Sequence, residues 1–145
     1  MNAPHDAFLQ VLESYKAAVR AKSVEAFLAI YDDDVHVFDM WNTWSLRGIE
    51  AWRAMAEGWF SSLGTEQVVV SADEAQTTEV GELVVGHAIL TYTAMSAEGK
   101  KLRSLDNRIT VALRRTGSAW KIFHEHTSAP IDHRSTKAML RRVGE

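Results

Sequence analysis

The chain has 145 residues, 46% of them apolar, a formal net charge of −3 and no cysteine. That is enough for one domain with a substantial core. The charge offers no electrostatic footprint for nucleic acid or an anionic membrane, and the missing cysteines exclude disulfides, thiolate chemistry and cysteine-ligated metals. No apolar run approaches the ~18 residues of a membrane span, and no basic-then-apolar signal pattern opens the chain. A cytoplasmic protein is the expectation.

Residues 6–21 read as a helix, with Phe8, Leu12, Tyr15 and Val19 at helical spacing and Asp6 as N-cap. Ser23 can cap a second, shorter helix carrying Phe27 and Ile30. "YDDD" breaks that pattern, and Val35 and Val37 begin a short strand ending near Asp39. A loop with Trp41 and Trp44 leads to Gly48, which opens a third helix with Trp52, Trp59 and Phe60 on its apolar face; Gly64 stops it. The period then changes to two. Val68–Val70 belongs to one strand, residues 80–94 form a long one weakened at Gly86, and residues 102–115 form a third. Helices followed by a run of antiparallel strands mean an α+β fold with the helices on one face of the sheet.

The last strand, within "WKIFHEHTSAP", alternates. Trp120, Ile122, His124, His126 and Ser128 share one face, and Lys121, Phe123, Glu125 and Thr127 the other. The first face runs from apolar to polar, as a strand leaving a core for a pocket would. His124, His126 and Ser128 are therefore expected to line a ligand pocket, with His124 a candidate general acid or base because histidine titrates near neutrality. A metal pair would need a third ligand from His87 or Asp39. The expectation is a site without metal. Pro130 ends the pairing, and residues 131–145 form a basic tail with a small apolar cluster, Met139, Leu140 and Val143, expected to be a short helix or disordered.

This order of elements, with "SYKAAVRAKSVEAFLAIYDDDVHVFD" near the start and "RITVALRRTGSAWKIFHEHTSAP" at the end, resembles the nuclear-transport-factor-two-like superfamily, and within it the SnoaL-like and ketosteroid-isomerase-like proteins. The resemblance implies a domain over residues 1–130 with a cone-shaped, cystatin-like α+β fold: three N-terminal helices on a strongly curved, mostly antiparallel sheet. It also implies a homodimer, a small-molecule ligand and no cofactor. The fold hosts isomerases, dehydratases, hydrolases, cyclases and proteins with no chemistry. "HEHTSAP" also looks like the association domain of calcium/calmodulin-dependent kinase, so a non-catalytic binding module or an oligomerisation module is the alternative.

On the ketosteroid-isomerase match Tyr15 falls at the oxyanion-hole tyrosine and Asp39 at the general base. A carboxylate at a pocket mouth can take a proton α to a carbonyl while a phenol holds the enolate oxygen. That family uses a neutral buried carboxylic acid as second donor. Asp106 in "SLDNR" is nearest by local sequence, yet strand parity puts Asn107 on the face of Ile109 and Val111. Both stay in the expected pocket set with Trp59 and the loop tryptophans Trp41 and Trp44, which suit an apolar ligand with a few polar handles.

Overall fold

The computed structural model describes residues 6–142. Helix α1, Ala7–Ala21, buries the predicted stripe, including Phe8, Leu12, Tyr15 and Val19. Asp6 caps it, its carboxylate accepting from the Leu9 amide at 3.0 Å. Helix α2, Val24–Leu28, is capped by Ser23 and carries Phe27 into the core. Strand β1 is Tyr31–Phe38, β2 is Leu46–Arg47 and α3 is Ile49–Ser62, followed by β3 (Gln67–Val80), β4 (Leu83–Met95), β5 (Lys101–Thr116) and β6 (Ala119–Ser128). The sheet order is β2-β1-β6-β5-β4-β3, and only the β1–β6 pair is parallel. Helix α1 lies against β3 and β4, α3 against β1 and β2, and α2 bridges the helices. This is the α+β arrangement expected from the switch of period after α3.

Three details differ from the sequence reading. "YDDD" does not break β1; it belongs to it, with Tyr31 buried and the Asp32 carboxylate paired to Arg114. Strand β3 runs on through the polar stretch 71–80, and the long strand read over residues 80–94 is divided by a turn at Gly81. Polar residues suffice there because β3 is an edge strand and is mostly exposed. Gly86 is in β4 because Phe8 lies across it: a Cβ would fall 2.1 Å from the Phe8 ring.

The tail forms no helix between residues 131 and 142. It makes an Ile131–Ala138 bridge, and the Met139 amide donates to Pro130 O at 2.8 Å. It then runs beside β5 beyond the end of β6, where the Asp106 amide donates to Leu140 O at 2.7 Å. Met139 and Leu140 thus follow a sheet edge in place of forming a helical cluster, and Val143 lies outside the described residues.

The largest consequence for function is a bulge. Between Ala112–His124 and Leu113–Ile122, β6 advances two residues for one of β5. The extra residue, Phe123, reverses the parity of everything after it. Ile122 still faces the helices, but beyond it Glu125 and Thr127 are the buried residues.

Candidate functional site

A cavity of about 690 Å³ opens between the helices and the inner face of the sheet. Helix α1 supplies Tyr15, α2 supplies Phe27, α3 supplies Trp52, Met55 and Trp59, and the sheet supplies Tyr92, Asn107, Glu125 and Thr127. Asp39 and Trp41 join from the segment after β1, and Leu140 from the tail.

Its polar groups form two linked sets. The Tyr15 and Tyr92 hydroxyls are hydrogen-bonded at 2.8 Å. Burial raises both phenol pKa values, so both stay protonated and able to donate. The second set is acidic. Tyr31 donates its hydroxyl hydrogen to Glu125 Oε1 at 2.6 Å. Burial, reinforced by the charge on Asp39 and opposed by the Tyr31 bond, pushes the Glu125 carboxyl up to about 7. Thr127 Oγ1 donates to Asp39 Oδ1 at 3.1 Å and accepts from the Met40 amide at 2.9 Å. Burial raises the Asp39 pKa, while Thr127 and the amides of Met40 and Trp41 act against it. The arrangement is a pocket with protonated phenols and two carboxyl groups whose proton affinity burial raises, Glu125 to about 7.

Of the residues singled out from sequence, Tyr15, Asp39, Trp41, Trp59 and Asn107 line this cavity. His124, His126 and Ser128 do not, because the Phe123 bulge turns them to the opposite face. There His124 Nδ1 meets His36 O at 2.8 Å, and His126 packs its ring 5.6 Å from Phe38. Trp44 is 96% exposed and borders a smaller groove with Phe38 and His126, outside the cavity. Asp106 faces away from the helices, accepting from Thr91 Oγ1 at 2.7 Å and from the Arg142 amide at 2.8 Å. Asn107 takes the inner position on that strand, as parity required, with its Nδ2 3.4 Å from Met40 Sδ. Among the described residues no group of three or more His, Cys, Asp or Glu is placed to hold a metal ion.

Sequence reasoning missed Glu125, Thr127, Tyr31 and Tyr92. Glu125 stands between His124 and His126 in a polar stretch that gives it no distinguishing mark, and strict alternation puts it on the wrong face.

The SnoaL-like domain family matches residues 9–132. The chain belongs to this family. Solved structures share the fold of this SnoaL-like chain. An NTF2-like protein of unknown function from Pseudomonas putida KT2440 is 27% identical, with 92% of this chain and 91% of that one covered and a TM-score of 0.79. Aln2 from a Streptomyces species is 17% identical over 88% of this chain and 93% of its own, with a TM-score of 0.75. A candidate calcium/calmodulin-dependent protein kinase II association domain from Xanthomonas campestris is 15% identical over 89% of each chain, with a TM-score of 0.74. Others are described as cystatin-like, which is the fold seen in this chain. No curated protein matches the chain. No helix among the described residues is long and apolar enough to cross a membrane.

Proposed function

We propose that this SnoaL-like protein catalyses cofactor-free acid–base chemistry on a small apolar carbonyl compound. Asp39 takes a proton α to the carbonyl, and the developing enolate oxygen is held by the Tyr15–Tyr92 hydroxyl pair. The observation that carries this reading is that one largely aromatic cavity contains both Asp39 and the coupled phenols. Burial helps twice. It raises the basicity of Asp39, and it strengthens hydrogen bonds to a charge that forms only in the transition state. The test is a panel of enolisable ketones with their enol-mimicking phenols. Binding of phenols with turnover of a ketone supports the reading, and Tyr15→Phe should then weaken both. Binding of phenols with no turnover of any ketone would leave a ligand-binding module.

The proposed assembly is a cytoplasmic homodimer through the outer face of the sheet. That face carries Phe38, 37% exposed, with the His36, His124 and His126 rings around it at 4.8, 5.1 and 5.6 Å. Light scattering at micromolar concentration should give twice the chain mass; a monomer would refute the dimer, and a large ring would favour an assembly role.

A further inference from the structure

The cavity's charges and rings say something about its ligand that the acid–base reading does not use. Three charged side chains line it: Asp39, Glu125 and Arg103. Arg103 is already neutralised, since its guanidinium holds both Glu66 carboxylate oxygens at 2.7 and 3.4 Å, and its side chain is 62% exposed at the mouth. The uncompensated groups are therefore acids. Asn107 adds an acceptor: the residue is 6% exposed, and its Oδ1 has no hydrogen-bond donor among the described residues. Around these acceptors stand the rings of Tyr15, Phe27, Trp41, Trp52, Trp59 and Tyr92. Aromatic faces attract cations, and the attraction grows when the cation is desolvated. A carboxylate ligand would instead add a further negative charge to a low-dielectric space that contains two acids.

We propose that the ligand enters as an organic cation, an apolar ring-bearing molecule whose protonated amine is held by Glu125 and the Asn107 amide oxygen within the aromatic wall. The proposal rests on the cavity being the ligand site. It leaves Asp39 as proton acceptor and gives Glu125 the task of countering the ammonium. Tyr31 holds one Glu125 oxygen, which fixes the carboxyl while the other oxygen receives the amine.

The experiment compares three probes of one ring size at neutral pH: naphthylmethylamine, naphthylmethanol and naphthoic acid. Calorimetry on the full chain should rank them amine, alcohol, acid, with the amine on the order of tenfold tighter than the alcohol, as one charge-assisted hydrogen bond provides. Glu125→Gln keeps an acceptor for Tyr31 and should close the gap between amine and alcohol without moving the alcohol. Asn107→Asp, which adds a carboxylate, should widen that gap and supplies an independent readout if the glutamine variant folds poorly. An amine no tighter than the alcohol overturns the proposal while leaving the cavity reading intact, as does a gap unchanged in both variants. Failure of all three probes to bind overturns both.

Discussion

Tyr31 and Glu125, far apart in sequence, meet inside the protein at 2.6 Å, and the carboxyl they share with the cavity sits near neutrality at about 7. The folded chain therefore binds a proton that the unfolded chain, with an ordinary carboxyl near 4.5, has already lost. The sign follows. Stability from this group is complete below about 4.5 and declines as pH rises to about 7, by at most about 3 kcal/mol. Asp39, also raised, acts in the same direction. Urea unfolding across this range should show that slope, and Glu125→Gln should flatten it and be the more stable form above it. Equal slopes in the two proteins would contradict the placement of Glu125.

Gly86 and Phe8 predict a packing defect. An alanine methyl would lie 2.1 Å from Phe8 Cγ, and Phe8 is fully buried. Gly86→Ala should cost about 1–3 kcal/mol, as overpacked cores do, read as a lower urea midpoint. Phe8→Leu added to that variant should recover part of the loss. A Gly86→Ala protein as stable as the parent would show that α1 does not sit on β4 in this way.

Asp106 serves the tail. Its carboxylate accepts from the Arg142 amide at 2.8 Å and pairs with the Arg142 guanidinium at 3.4 Å, two residues beyond Leu140 at the cavity wall. Against the cost of burial, the hydrogen bond from Thr91 and then the contacts with Arg142 hold its carboxyl below the usual range. Asp106→Asn should loosen the tail at a cost of about 1–2 kcal/mol, within the range for a charge-assisted bond. Amide exchange at residue 106, whose N–H donates to Leu140 O, and at Arg142 should quicken, and bound phenol should dissociate faster through the opened wall. Unchanged exchange at both amides would contradict the latch.

The sequence carried the element order because its periods are strong. Seven buried residues of α1 recur at helical spacing, and the caps at Asp6 and Ser23 sit where a short polar side chain precedes such a run. Tyr15 and Asp39 could be placed through the family resemblance, and Asn107 through parity with Ile109. The last strand misled because a bulge leaves no mark in local composition. One unpaired residue, Phe123, exchanges the two faces, so the histidines turn outward and Glu125 inward. Tyr31 was hidden for a related reason: three aspartates follow it, and their charge obscured a strand whose next inward residues are Val35 and Val37.

Asp39 as proton acceptor is the central claim, and solvent exchange tests it without knowledge of the natural product. An enolisable ketone bound in the cavity is incubated in heavy water, and loss of its α-proton signal is followed by NMR. The native protein should accelerate exchange. Asp39→Asn, which keeps the shape and loses the base, should slow it on the order of a hundredfold or more, while His124→Gln, on the outer face, should leave the rate unchanged. Exchange by Asp39→Asn at the native rate, with the ketone still bound, would contradict the assignment.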